Sequence, residues 1–346
     1  MTEALNSIRG IAVTCRICGN REGNKSYLAR EMLFGTREEF AYFQCASCGC
    51  LQIAEIPSDL ARHYRSDYVS FKPSVEKRFA SRFRNFFRVR RYRFTVLGEG
   101  TLGRLLHALA PRENLHRLSL AGLRRDSRVL DVGCGSGELL YTLRTLGMTN
   151  LLGVDAFIER DITYPNGLTI RKGTIDDVAG EWDCIILSRT LEHIPDQHAT
   201  LRSVAARLAP GGTSLVTIPL VSSQAWEHYR TNWFALDAPR HLYLHSVKSF
   251  HLAAGKADLG IEHAVYTSDD RQFRGSELYL RDIPFLAGPP QSRAIFTRAQ
   301  IRAWRRKAAE LNAESRGDQA MFCLKKRPTT GTPLPRAQFP HDRGQA

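Results

Sequence analysis

The run Val129-Leu130-Asp131-Val132-Gly133-Cys134-Gly135-Ser136-Gly137 decides the fold of this chain. An apolar segment with the character of a strand leads into a glycine-rich turn, and a helical pattern begins at Glu138. Three residues without a Cβ let a ligand touch the backbone, and free N–H groups point outward at the start of the helix. The stretch therefore predicts a strand–loop–helix ligand site.

Two acids beside this loop indicate the kind of ligand. Dinucleotide enzymes carry Gly-x-Gly-x-x-Gly at the same place, so a glycine loop alone is weak evidence. Here the spacing is Gly-x-Gly-x-Gly, and Asp131 ends the strand, where a carboxylate repels a pyrophosphate but favours the ammonium group of a methionine moiety. Asp155 ends the next strand, where a carboxylate can accept hydrogen bonds from both ribose hydroxyls. The alternative is an ordinary tight turn with Asp131 as a helix cap.

Short apolar segments alternate with helical patterns from residue 128 onwards. We predict strands at 128–131, 151–155, 168–171, 184–188, 214–218, 261–266 and 320–325, and helices at 138–146, 197–208, 247–257 and within 292–316. Strands separated by helices imply βαβ units, so we expect a doubly wound, mostly parallel α/β sheet.

Five of the eight cysteines lie in the first fifty residues. Four of them form two Cys-x2-Cys pairs that are 26 residues apart, each followed by a glycine. Such knuckles can present four thiolates tetrahedrally, and in a reducing compartment a clustered set indicates a metal site rather than disulfides. The pattern predicts a zinc-ribbon-like module whose structural zinc is held by Cys15, Cys18, Cys45 and Cys48.

The glycine loop and the segments after it resemble the class I S-adenosylmethionine-dependent methyltransferases, from about residue 126 to 266. Further matching segments are Asp176-Asp177, Trp182–Ser188, Leu191-Glu192-His193-Ile194 and Leu208-Ala209-Pro210-Gly211-Gly212. The resemblance implies a seven-stranded Rossmann-like sheet and S-adenosyl-L-methionine as cofactor. It implies these cofactor contacts: Asp131, Gly133, Cys134, Gly135, Gly137, Asp155, Asp176 and Ser188.

The N-terminal part resembles the zinc-binding part of bacterial sugar methyltransferases, including those that C-methylate keto-deoxysugar nucleotides. The resemblance is carried by the cysteines, Leu51-Gln52-Ile53 and the stretch 63–68, and the block Asn232–Leu242 is similar to one found in the same subgroup. A second large α/β domain of those enzymes is missing here, which puts C-methylation in doubt. The resemblance implies that the acceptor is a sugar nucleotide, a glycan or another small hydroxylated metabolite.

The segment after the fourth expected strand weighs against two classes of acceptor. It is Ser188-Arg189-Thr190, and not the Asn/Asp-Pro-Pro-Tyr/Phe run that resembles amino-methylating nucleic-acid enzymes. It also lacks the Pro-Cys expected of a base C5-methylating nucleophile. Both classes are therefore disfavoured.

Methyl transfer from a sulfonium is an in-line displacement, so a hydroxyl or carbon-acid acceptor also needs a base. A histidine suits that role near neutral pH, and His193 and His241 both follow strands at the carboxyl edge of the sheet. We expect His241 to be the base and His193 to begin a helix or pack. From loop position alone, Tyr229, Trp233 and Arg240 are expected to line the acceptor pocket.

The net charge of +14 is concentrated between residues 62 and 93, a stretch that contains eleven Lys or Arg residues and only two acidic residues. Such a stretch suits an anionic partner, which leaves RNA, an anionic membrane surface and a phosphorylated small molecule open. An RNA methyltransferase that binds its substrate with the zinc module and the basic helix is the alternative function, and a non-catalytic cofactor binder is a third. The phenylalanines of this stretch could equally pack on the catalytic domain.

We expect a cytoplasmic protein without a transmembrane segment, since no apolar run approaches the ~20 residues that a spanning helix needs and the first nine residues lack a signal-peptide core. The expected organisation is a leader (1–14), a zinc-binding module (15–57), a basic helical segment (58–125), a methyltransferase domain (126–327) with a helical insertion (271–319), and a disordered tail (328–346).

Overall fold

The computed structural model describes residues 13–64, 82–109, 115, 117–286 and 295–327. The first twelve residues of the expected leader, residues 65–81 of the basic segment and the expected tail from 328 lie outside the described residues. The strands are β1 (Lys25–Arg30), β2 (Glu39–Gln44), β3 (Leu51–Ile53), β4 (Val129–Val132), β5 (Leu151–Asp155), β6 (Ile162–Thr163), β7 (Thr169–Lys172), β8 (Trp182–Ser188), β9 (Leu208–Pro219), β10 (Tyr243–Leu244), β11 (Leu259–Tyr266) and β12 (Gln319–Lys326). The α-helices are α1 (Arg82–Leu97), α2 (Thr101–Leu109), α3 (Glu138–Thr145), α4 (Gln197–Arg207), α5 (Gln224–Tyr229), α6 (Val247–Gly255), α7 (Arg271–Leu280) and α8 (Arg298–Ala313).

The central sheet has the strand order β11-β12-β9-β8-β4-β5-β7-β6. The five strands from β9 to β7 are parallel, while β6 and β12 run antiparallel to their neighbours. The chain moves outward from β4 through β5 and β7, and then returns to β8 on the other flank of β4. This reversal places the ligand crevice at the carboxyl end of β4. The doubly wound, mostly parallel fold is confirmed.

Among the described residues, the sheet has eight strands rather than the expected seven. The additional strand is β6, whose two residues pair with β7 as Ile162↔Ile170 and Thr163↔Thr169. A strand of two residues is too short to show an alternating hydrophobic pattern, so the sequence did not reveal it.

Strand β9 begins earlier than expected and contains the predicted glycine turn. Trp182 pairs with Leu208, whereas Cys184 pairs with Thr213, so the register shifts between the two pairs. The intervening residues of β9 form a bulge in which Gly211 takes a φ of 76°. The turn is therefore present, but as an irregularity within one strand.

A second, antiparallel sheet of order β1-β2-β3-β10 joins the cysteine-rich segment to the main domain. Its last strand comes from beyond the parallel sheet, with Tyr243 opposite Gln52 and Leu244 opposite Leu51. The side chains around the cysteines share one apolar cluster with those of the main domain, including Tyr42, Trp226 and Leu242. A segment of about forty residues rarely buries a sufficient core alone, so this shared cluster stabilises it.

The basic segment forms two helices, α1 and α2, which pack against each other beside the main domain. Val89, Tyr92 and Val96 of α1 pack on an apolar cluster that includes Leu143 of the main sheet's first helix. Phe83, Phe86 and Phe87 of α1 are instead exposed, by 76%, 46% and 38%. In the described part of the stretch, the helix therefore packs on the main domain through Val89, Tyr92 and Val96 rather than through these three rings. Across the described ranges, no helix is both long and apolar enough to span a membrane.

Gly103 allows α1 and α2 to approach closely. A Cβ at this position would lie 2.3 Å from the backbone oxygen of Arg90 and 2.8 Å from the Cβ of Phe94. We expect Gly103→Ala to lower the free energy of unfolding by about 1–3 kcal/mol, because the backbone of α1 must move to make room. The control is Gly255→Ala in α6, where the nearest atom would be the flexible guanidinium end of Arg327 at 3.1 Å. Thermal unfolding of both variants tests this, and equal melting temperatures would contradict it.

Candidate active site

The glycine loop after β4 is built from residues in the left-handed region of φ. Gly133, Gly135 and Gly137 have φ values of 69°, 55° and 76°. A Cβ on Gly133 would lie 2.2 Å from Thr190 Cγ2, and one on Gly137 would lie 2.4 Å from Ile170 Cδ1. The loop is thus packed between the segment that follows β8 and strand β7, which fixes its backbone at the carboxyl edge of the sheet.

Asp131 and Asp155 lie at this edge on neighbouring strands. Asp155 holds the loop, since its Oδ2 accepts a hydrogen bond from the Gly135 N–H at 2.8 Å and its Oδ1 one from the Phe157 N–H at 2.8 Å. Burial, together with the nearby charge of Asp155, raises the pKa of Asp131 to about 8. Nothing in the described part of the chain lowers this pKa, so the site favours a cation beside Asp131.

The other predicted cofactor contacts have different surroundings. Cys134 packs against Gly153, and burial raises the pKa of its thiol well above the usual value, so it is an inert loop residue. Ser188 is exposed at the end of β8. Asp176 is also exposed, and its carboxylate accepts a hydrogen bond from Ser203 of α4. The predicted contacts of all three with the cofactor stay predictions.

His193 and His241 meet at the same edge, with ring centroids 4.7 Å apart. His193 lies in the 3-10 turn Leu191–His193 after β8, and its Nδ1 is 2.9 Å from the backbone oxygen of Arg240. The Nδ1 of His241 is 2.7 Å from the backbone oxygen of Ala235. Because a carbonyl only accepts, each Nδ1 carries a proton and each Nε2 keeps its lone pair.

Burial makes both rings neutral. It lowers the pKa of His193 to about 3, and the neighbouring His241 adds to this effect. Burial also lowers the pKa of His241, but here the carboxylate of Asp237, 3.8 Å from Nε2, opposes it. His241 is therefore the ring of the two that can more readily take a proton.

Glu192 completes this group. It is 1% exposed, neither of its carboxylate oxygens has a hydrogen-bond partner in the described part of the chain, and burial raises its pKa to about 8. One donor atom each from Glu192, His193 and His241 lies within 4.8 Å of the others. A group of this kind can share a proton or hold a cation.

Tyr64 was not identified as a site residue from the sequence. Its hydroxyl is 2.9 Å from His193 Nδ1, and its ring stacks on Phe157 with centroids 4.6 Å apart. Phe157 follows Asp155 by two residues, so these rings connect the cofactor side to the histidine pair. The contact spans 129 residues of sequence, and no local pattern signals it.

The three residues expected to line an acceptor pocket are buried instead. Trp233 is 0% exposed and donates from Nε1 to Asp318, and Arg240 is also 0% exposed. Tyr229 is 6% exposed and donates to Glu277. The prediction was wrong because loop position indicates proximity to the sheet edge but does not indicate which side chains turn inward.

The four clustered cysteines converge as predicted. The Sγ atoms of Cys15 and Cys48 are 3.6 Å apart, and those of Cys18 and Cys45 are 3.5 Å apart. A tetrahedral zinc with bonds of about 2.3 Å places its sulfurs about 3.8 Å apart. Both pairs form the same turn, in which the glycine after the second cysteine donates its N–H to the carbonyl of the first. The donor set and its spacing fit a tetrahedral thiolate metal site.

Gln52 braces this group from β3, a role that the sequence did not reveal. It is 0% exposed, its Nε2 donates to Cys15 Sγ at 2.9 Å, and its Oε1 accepts from the Arg16 N–H at 3.0 Å. The hydrogen bond with Cys48, against the effect of burial, lowers the pKa of Cys15 to about 4. Such support orients a ligand without binding the metal itself.

The sequence matches the family described as methyltransferase domain over residues 104–264. The ubiquinone biosynthesis O-methyltransferase of Bordetella avium (strain 197N) is 29% identical over 174 residues, which are 45% of this chain and 71% of that protein. The protein of the same name from Xanthomonas euvesicatoria pv. vesicatoria (strain 85-10) is 36% identical over 121 residues, 31% of this chain and 48% of that protein. The chain spans about half the length of this relative and of several others with that name.

A solved S-adenosylmethionine-dependent methyltransferase from Mesorhizobium loti aligns with 63% of this chain and 100% of that one, at 18% identity and a TM-score of 0.40. Over residues 104–264 the chain therefore matches a methyltransferase-domain family, and its doubly wound, mostly parallel sheet has the fold that the sequence resemblance implied.

Proposed function

We propose that this protein transfers a methyl group from S-adenosylmethionine to a hydroxyl of a small acceptor such as a sugar nucleotide, a glycan or a similar metabolite. The observation that carries the proposal is the pair of neutral histidines with bare Nε2 atoms, next to Glu192 at the carboxyl edge of the sheet. A hydroxyl must lose its proton during transfer, and a neutral imidazole can accept it. The relatives named O-methyltransferases support a hydroxyl acceptor.

The residues beside the glycine loop fit the cofactor. Bound S-adenosylmethionine would supply an activated methyl group. Asp131, which would ionise when a cation binds beside it, would pair with the ammonium of its methionine part, and Asp155 would face the ribose from the end of β5. The left-handed glycines would keep the loop backbone close to the ligand.

His241 is the base in this proposal. Once protonated, its Nε2–H would face Asp237 at 3.8 Å, and that carboxylate would stabilise the imidazolium. His193 is fixed by Arg240 and Tyr64, so in this proposal it orients the site.

Zinc on the four cysteines is the second part of the proposal. All four positions of a tetrahedron would be filled by protein sulfurs, so the metal would be structural and no position would be left for a substrate. The zinc would hold the two cysteine turns and strand β3 together.

We expect cofactor binding to release a proton at pH 7. With a pKa of about 8, Asp131 is mostly protonated in the free protein, whereas pairing with an ammonium requires the carboxylate. Calorimetry in buffers of different ionisation enthalpy measures this release. Asp131→Asn should abolish it and weaken binding at least about tenfold. Tight binding of NAD without binding of S-adenosylmethionine would overturn the cofactor assignment.

We expect His241→Ala to reduce kcat by about 10²–10⁴-fold with nearly unchanged cofactor affinity. The pKa of His241 lies below its usual value of 6.5, so the wild-type rate should be level near neutrality and fall only in more acidic solution. The control is His228→Ala, an exposed ring on α5. Near-normal turnover of the His241 variant would place the base elsewhere.

That measurement needs an acceptor, which a screen of sugar nucleotides, glycans and RNA with radiolabelled donor identifies. An RNA acceptor would be recognised by a steep loss of binding with salt, because many phosphate contacts release counterions. A small acceptor should show a far weaker dependence. Labelling of RNA alone would contradict the proposed acceptor class.

We expect one tightly bound zinc per chain, lost in Cys45→Ser together with local folding of the module. Elemental analysis of freshly reduced protein and the thermal melting curve measure the two effects. Cys50→Ser is the matched control, because Cys50 is buried beside the knuckle but lies outside the cluster of four. Metal-free wild-type protein, or equal zinc in both variants, would contradict the site.

A further inference from the structure

The loop that carries His241 is tied to the N-terminal module by a buried ion pair. Arg240 Nη2 lies 2.8 Å from Glu31 Oε1, and both side chains are 0% exposed. The same nitrogen lies 2.6 Å from Asp237 Oδ1, and Arg240 Nη1 donates to the backbone oxygen of His63 at 3.3 Å. One guanidinium therefore joins the loop to two parts of the N-terminal segment.

Glu31 is itself rigidly held after β1. Its carboxylate accepts hydrogen bonds from the backbone N–H groups of Phe34, Gly35 and Thr36 at 2.9–3.0 Å, and from the Thr36 hydroxyl at 3.2 Å. Burial would raise the pKa of Glu31, but these N–H groups and Arg240 bring it below the usual value. The module thus presents a fixed negative charge to Arg240.

The position of Arg240 determines the surroundings of both histidines. Its backbone oxygen accepts from His193 Nδ1 at 2.9 Å, and its side chain binds Asp237, whose Oδ2 lies 3.8 Å from His241 Nε2. A second link from the module is the Tyr42 hydroxyl, which donates to the backbone oxygen of His241 at 2.9 Å. Movement of Arg240 would therefore disturb the hydrogen bond to His193 Nδ1 and the position of the Asp237 carboxylate beside His241 Nε2.

We propose that Glu31 and Arg240 are positioning residues, through which the N-terminal module sets the rings of His193 and His241 for proton transfer. The module is then a component of the catalytic centre rather than an independent appendage. This inference rests on the base role proposed for His241. Neither residue touches the reacting atoms in this arrangement, because both side chains are fully buried.

The test is Glu31→Gln in the full chain, which preserves the shape of the side chain and removes its charge. We expect kcat to fall about 10- to 100-fold while cofactor affinity and zinc content stay unchanged, since small displacements of catalytic groups have effects of this size. The matched control is Glu38→Gln, which breaks the exposed pair of Glu38 with Arg62 in the same module. This control should leave kcat unchanged.

Nitrogen NMR spectra of the histidine rings provide a readout that needs no acceptor. In the wild type, the ring signals should show Nδ1–H on both His193 and His241. Glu31→Gln should shift or split these signals and leave His228 unaffected. Loss of activity in His241→Ala tests the base itself, so failure of the proposed function and failure of the positioning role are distinguished.

If Glu31→Gln does not fold, Arg240→Lys gives the same readouts, because it keeps the buried charge and loses the planar fork that contacts Glu31 and Asp237 together. Altered ring spectra in folded protein would support the proposal. It would be overturned by unchanged spectra and unchanged kcat in the variant that folds, by equal effects in Glu38→Gln, or by failure of both variants to fold, which would mark the pair as purely structural.

Discussion

A fully buried guanidinium is the constraint on which the arrangement around the two histidines depends. A charge removed from water is strongly destabilising unless it is paired and hydrogen-bonded. Arg240 is accordingly paired with two carboxylates, Glu31 from the N-terminal segment and Asp237 from its own loop. Because both partners are needed at once, the loop and the module can reach this arrangement only together.

The small antiparallel sheet also joins the loop of the two histidines to the N-terminal module. β10 follows the loop directly and completes the sheet by pairing with β3, the strand that carries Gln52. Gln52 in turn donates to Cys15. A continuous set of contacts thus leads from the cysteine cluster through β3 and β10 to the loop of the two histidines. A metal on the cysteines would consequently stabilise one wall of the acceptor site as well as the module.

The parts of the structure that the sequence predicted are those whose signals are local. Asp131, the three glycines and Asp155 fall within one strand–loop–helix–strand unit, and their arrangement follows from that unit alone. The cysteine pairs could be recognised from the sequence equally well, because each pair lies within one short turn. The partner of Arg240 is 209 residues away and Tyr64 is 129 residues from His193, so neither contact leaves a periodic or compositional trace.

This difference explains why the sequence indicates the cofactor more clearly than the acceptor. The expected cofactor side is a single contiguous unit whose backbone would do most of the binding, so any chain with that unit presents nearly the same surface. The proposed acceptor side combines three segments, around Tyr64, Glu192–His193 and Asp237–His241, which the buried ion pair of Arg240 holds together. In the proposed function, acceptor selectivity would therefore depend on how the module docks, and the residues that fix the loop would contribute to it as well as those that face the substrate.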